Sequence, residues 1–94
     1  MNNAQKLIAT NKSIEATAEE MKIALCKHAE ANAAKLDKAQ KENNQALIDA
    51  FQYVCDLNHG AIKKLDEATK DFIKAARRLE ACMFFVTDYA FSES

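Results

Sequence analysis

The sequence predicts an all-α fold, an antiparallel helical hairpin with an N-terminal helical arm, assembling as a homo-oligomer. Three observations carry this. The chain has 94 residues, no Pro and a single Gly, so little interrupts helix along its length. Apolar residues recur at steps of three and four, the spacing that puts them on one helical face, and strand alternation is absent. Eighteen of the apolar residues are Ala. Burying Ala removes little apolar surface from water, so one copy alone has a thin core and gains stability by association.

Residues 1–94 are expected to form one domain, with a helical arm over 1–43 and a hairpin over 44–91. In the arm, Leu7, Ile14, Met21 and Leu25 carry a weak stripe. The run TNKS (10–13) reads as an interruption with capping side chains. From Cys26 to Lys41 the only large aliphatic residue is Leu36, which suits close packing through Ala or docking on another subunit.

The polar run KENNQ (41–45) is the expected break before the hairpin, with Asn44 as cap of the helix that follows. Leu47, Ala50, Phe51, Val54 and Leu57 give the first hairpin helix its apolar face. Asn58, His59 and Gly60 read as a helix stop, Gly60 taking the left-handed conformation and turning the chain. The second hairpin helix then runs from 61–65 to about 90, with Ile62, Leu65, Thr69, Phe72, Ala76, Leu79, Met83, Val86 and Ala90 on one stripe.

Charge and composition exclude several classes. The net charge is −1 and the isoelectric point about 6.1, unlike the basic surface that binds DNA or RNA polymers. MNNAQKLIAT lacks the apolar run of a signal peptide, and no stretch approaches the ~20 apolar residues of a membrane span. Three widely spaced Cys make no disulfide framework and point to a reducing cytoplasm. Cys55 and His59 are four apart on one helix, but Cys26 and His28 fall on different faces. No second pair completes a four-ligand metal site, and no cofactor motif is present. Adjacent carboxylates at Glu19-Glu20 and Asp66-Glu67 diverge on their helices and cannot flank one substrate bond. The expectation is a protein that is not an enzyme.

The chemistry concentrates near the end, in ARRLEACMFFVTDYAF (76–91). The chain's two arginines, Arg77 and Arg78, stand there beside its densest aromatic run. Lys63, Lys70 and Arg77 are seven apart and share a face, with Lys74 one turn from the last two. Arg77 and Arg78, supported by Lys74 and Lys70, are the candidate phosphate contacts, because the guanidinium fork holds two phosphate oxygens at once. Phe84, Tyr89 and Met83 are the candidate stacking or pocket-wall residues. An ordinary solvated face with weak surface ion pairs is the plain alternative. Lys22 and Lys27, beside His28, form a second basic group on the arm and a candidate second site, on charge alone.

Residues 46–91 resemble the hairpin domain of phage-encoded cyclic-nucleotide sponges, the anti-CBASS sponge and the related anti-Thoeris sponge. Leu79, Glu80, Ala81, Met83, Phe84 and Ala90-Phe91 fill the motif that closes the family's second helix, Phe84 standing where Trp is usual. ALIDAFQYVCDLN (46–58) is similar to the family's first hairpin helix. The resemblance implies a compact homo-oligomer, a hexamer in the anti-CBASS branch. It implies capture of cyclic dinucleotides or cyclic trinucleotides without cleavage, in the cytoplasm of an infected bacterium, so that the immune effector receives no signal. A helical protein–protein interaction module, such as a phage adapter or an inhibitor of a host protein, is the alternative function.

Overall fold

The computed structural model describes residues 3–91, with side chains described over 3–85. It is all-α: two helices, α1 (Asn3–Lys41) and α2 (Gln45–Phe91), form a hairpin, and the described residues contain no strand.

The turn lies at Glu42, Asn43 and Asn44. Asn43 takes a positive φ of 53°, the left-handed conformation that Asn tolerates better than most residues other than Gly. The amide of Asn44 donates to the carbonyl of Ala39 at 3.1 Å and that of Asn43 to Gln40 at 3.2 Å. This nested pair satisfies carbonyls left open at the end of α1. Asn44 then begins α2: its side-chain Oδ1 accepts from the amide of Leu47 at 3.3 Å and its carbonyl from Ile48 at 2.9 Å. The expected break and cap are therefore both present.

The expected turn at Gly60 is not. Gly60 lies inside α2 with no positive φ. One glycine costs a helix roughly 1 kcal/mol, too little to end a helix whose flanking turns both pack against α1. The hairpin is accordingly α1 against α2, and not two halves of residues 44–91. The TNKS interruption is also absent, since α1 is continuous through it. Each of those residues lowers helix propensity by only tenths of a kcal/mol, whereas ending a helix and nucleating another is costly.

Two compact units divide the chain, each holding a segment of both helices: Met1–Ala18 with Glu67–Ser94, and Glu19–Asp66. In the first, Ala4 and Ala76 are buried, with Leu7, Ile8, Phe72, Ile73 and Met83 half-buried. In the second, Ala39 and Cys55 are buried and Leu25, Leu36, Ile48, Phe51, Val54, Ile62 and Leu65 half-buried. No large side chain among the described residues is fully buried.

Continuity of α2 through Gly60 sets which face turns inward. The inward series Phe51, Cys55, Asn58, Ile62, Leu65, Thr69, Phe72 and Ala76 keeps steps of three and four across the glycine. Leu47, Ala50 and Leu57, expected inward, are exposed. Leu79 is exposed as well, because Glu80 occupies the buried position beside it. On α1, Ile14 and Met21 face outward, while Asn11, Glu15, Lys22 and Asn32 stand at buried or half-buried positions.

Candidate functional site

The two arginines of α2 differ in their surroundings. Arg77 is engaged. Its Nη1 donates to both carboxylate oxygens of Glu80, at 2.7 and 3.1 Å, and its Nη2 to Oε1 of Glu15 at 2.5 Å. Glu80 is 8% exposed, a depth at which a carboxylate requires a charged or hydrogen-bonding partner. The hydrogen bonds that Arg77 donates to Glu80, and then to Glu15, raise its pKa above the ordinary value against the opposing effect of desolvation.

Arg78 and Lys74 are exposed, and neither is held by a carboxylate among the described residues. They are four apart, and Ala81 and Phe85 follow at further steps of three and four, so these residues share one face of α2. Lys70 is exposed one turn earlier. Phe85 is 68% exposed and Phe84 43%, while Met83 turns partly inward. Aromatic rings and cations thus stand together on the outer side of this unit. Tyr89 falls outside the residues whose side chains are described.

The second basic group is rearranged relative to expectation. Lys22 and Lys27 are five apart on α1 and point to different sides of the helix. Lys27 is exposed. The Nζ of Lys22 instead donates to Oδ1 of Asp66 at 3.0 Å. This hydrogen bond and the charge of Asp66 raise the Lys22 pKa from its ordinary value of 10.5. Around that pair, Lys22, His59, Ile62, Lys63 and Asp66 line a cavity of about 290 Å3. His59, Ile62, Lys63 and Asp66 are one helical face of α2 at steps of three, one and three. Sequence reasoning missed this grouping. Only the register of α1 against α2 brings Lys22 to it, and Gly60 read as a turn assigned His59 to the wrong element.

A third feature lies beside the turn. Lys35, Lys38, Ala39, Glu42, Leu47 and Phe51 line a cavity of about 220 Å3, with Lys35 Nζ 6.0 Å from the centre of the Phe51 ring. The thiols of Cys26, Cys55 and Cys82 are free. Among the described residues no group of three or more His, Cys, Asp or Glu is arranged to hold a metal ion, and no helix is long and apolar enough to cross a membrane.

No family model, curated protein or solved structure matches this chain.

Proposed function

We propose that this chain is a phage-encoded sponge, a non-enzymatic protein that sequesters cyclic dinucleotides or cyclic trinucleotides and so blocks a CBASS-type or Thoeris-type bacterial defence from the cytoplasm of the infected cell. The observation that carries the reading is the outer face of α2, where Lys74 and Arg78 are open and stand in step with the exposed ring of Phe85. A cyclic oligonucleotide presents phosphates and flat bases together. Cations supply charge-assisted hydrogen bonds to the former, and rings stack on the latter. Arg78 and Lys74 are the primary phosphate contacts, with Lys70 beside them. Arg77, its charge taken up by Glu15 and Glu80, anchors the helical turn from which Arg78 projects. The resemblance of Leu79, Glu80, Ala81, Met83 and Phe84 to the motif that closes the sponge family's second helix supports the same reading, although the hairpin that the resemblance implies within residues 46–91 is not formed, those residues being a single helix.

The functional form in this proposal is a homo-oligomer, a hexamer by that resemblance. Ile14, Met21, Ile23, Tyr53, Leu57 and Leu79 are exposed while no large side chain among the described residues is fully buried, as befits a protomer whose apolar surface is completed by further copies. The same residues favour the alternative, an interaction module that docks on a different protein.

A melting series decides between the two. The purified chain is heated with micromolar cyclic di- and trinucleotides of different bases and linkages, alongside linear dinucleotides. A sponge is stabilised by at least one cyclic ligand, and the ligand recovered after denaturation is intact. Arg78→Ala is expected to lose about ten- to a hundredfold in affinity, the usual consequence of removing one charged hydrogen bond. Unchanged melting across the panel, or cleaved ligand, refutes the proposal.

A further inference from the structure

The notch in the Glu19–Asp66 unit has a chemistry that the outer face of α2 does not account for. Three nitrogen-bearing side chains converge on it from two helices: Lys22 from α1, and His59 and Lys63 from α2. Their placement follows from helical geometry. His59 and Lys63 are one turn apart, and Asp66 is one turn further along the same face, where it meets Lys22.

Asp66 does not cancel the site so much as order it. Its hydrogen bond to the Lys22 ammonium at 3.0 Å favours the side-chain conformation that brings Lys22 to the notch. Less rotamer entropy remains to be lost on binding. Lys63 and His59 are exposed, and neither is engaged by a hydrogen bond or ion pair among the described residues. With Lys22 and Lys63 cationic and Asp66 anionic, the lining carries net positive charge even when His59 is neutral. A neutral imidazole still offers one N–H donor. Ile62 adds an apolar side chain to the lining.

We propose that Lys22, His59 and Lys63 form an anion site that takes the phosphate of a small phosphomonoester, a site separate from the outer face of α2 around Arg78. The size of the notch favours such a ligand. At about 290 Å3 it lies at the lower end of the range for small-molecule pockets, roughly 300–1,000 Å3. It accommodates one phosphate and the body attached to it. Lys63 and His59 donate to phosphate oxygens, Lys22 adds its charge, and Ile62 contacts the apolar part of the ligand.

The test is a chemical-shift titration of the full chain with adenosine 5′-monophosphate, inorganic phosphate and adenosine. Saturable shifts at Lys22 and at His59, Lys63 and their neighbours are expected with the monophosphate and with phosphate, and not with adenosine. Lys63→Ala and His59→Gln each weaken monophosphate binding by about tenfold, in line with loss of one charge-assisted hydrogen bond. Both positions are exposed, and circular dichroism verifies that the helices persist. Arg78→Ala leaves this titration unchanged. The proposal is overturned by an absence of saturable shifts, by adenosine binding as tightly as its monophosphate, by parental affinity in both notch variants, or by loss of binding in Arg78→Ala.

Discussion

Arg77 on α2 reaches Glu15 on α1, sixty-two residues away in sequence, and the same guanidinium holds Glu80 one helical turn along α2. One arginine therefore ties two carboxylates, one of them buried, across the two helices of the Met1–Ala18 and Glu67–Ser94 unit. Its neighbour Arg78, exposed as Arg77 is, makes no such contact among the described residues. Adjacent residues on a helix point about 100° apart, which is enough to assign one arginine to the fold and the other to the surface.

This division predicts different outcomes for the two alanine substitutions. Arg77→Ala leaves the Glu80 carboxylate buried without its partner, the more damaging way to break an ion pair. It is expected to lower the melting temperature by several degrees, while Arg78→Ala changes it little, as surface substitutions generally do. The double variant Arg77→Leu/Glu80→Leu removes both the charge and its partner and recovers most of the loss. Thermal melts of the three variants decide the matter. Equal melting of Arg77→Ala and the parent contradicts a structural role for the Glu15–Arg77–Glu80 cluster.

Gly60 offers a direct measure of where the chain turns. It is helical and exposed, and a Cβ added there meets nothing within 4 Å. Gly60→Ala is therefore expected to stabilise the protein by about 0.5–1 kcal/mol, through lower entropy of the unfolded chain and higher helix propensity. A urea melt reads this as a higher midpoint with unchanged slope. Destabilisation contradicts a helical Gly60 and restores the left-handed turn that its sequence neighbourhood suggests.

That glycine also marks the limit of what the sequence made legible. The all-α class and the inward stripe from Ile62 to Ala76 follow from periodicity alone. So does the break near Asn44, whose side chain has a recognisable capping role. The hairpin's turn did not follow, because a single Gly is a strong local signal and the Asn43-Asn44 pair a weaker one. Packing on both sides of position 60 overrides the local preference. The identity of Glu80 as a buried residue and the meeting of Lys22 with His59 and Lys63 depend on the register between helices. No pattern within one helix encodes that register.

The turn yields its own expectation. Asn43 supplies the left-handed residue and Asn44 the cap. Asn44→Ala removes the acceptor that the amide of Leu47 uses and is expected to cost about 1 kcal/mol. Asn43→Gly is expected to be tolerated, since Gly adopts positive φ freely, whereas Asn43→Val is destabilising because a β-branched side chain resists that conformation. Chemical denaturation orders the three variants. A valine variant as stable as the glycine variant rules out the left-handed turn at this position.

Lys22 predicts a difference at alkaline pH. Its folded-state pKa is raised above 10.5, chiefly by the hydrogen bond to Asp66. A cationic group with a raised pKa contributes stability that is fully present below its unfolded value and is lost as pH rises through its folded value. The window therefore opens above 10.5. Melting temperatures of the parent and of Lys22→Met, followed from pH 9 to 12, are expected to converge as the parent loses this contribution. A constant difference across that range removes the linkage between Lys22 ionisation and folding.

Asn11 is the last residue whose placement conflicts with its chemistry. It is 5% exposed, and its Nδ2 has no hydrogen-bond partner among the described residues. A buried donor left unpaired costs about 1–3 kcal/mol. Such a residue in a helix–helix seam is retained in some proteins because it fixes register at the expense of stability. Asn11→Leu replaces the amide with a side chain of similar size that needs no partner, and it is expected to stabilise the chain by on the order of 1 kcal/mol. Urea unfolding supplies the stability, and light scattering coupled to size exclusion shows whether the mass in solution stays single. Higher stability with a broadened mass distribution identifies Asn11 as the residue that holds the helices in register. Lower stability means that the Nδ2 donor is satisfied in solution, by water or by a carbonyl of another copy, and the seam around Asn11 is then not an apolar one.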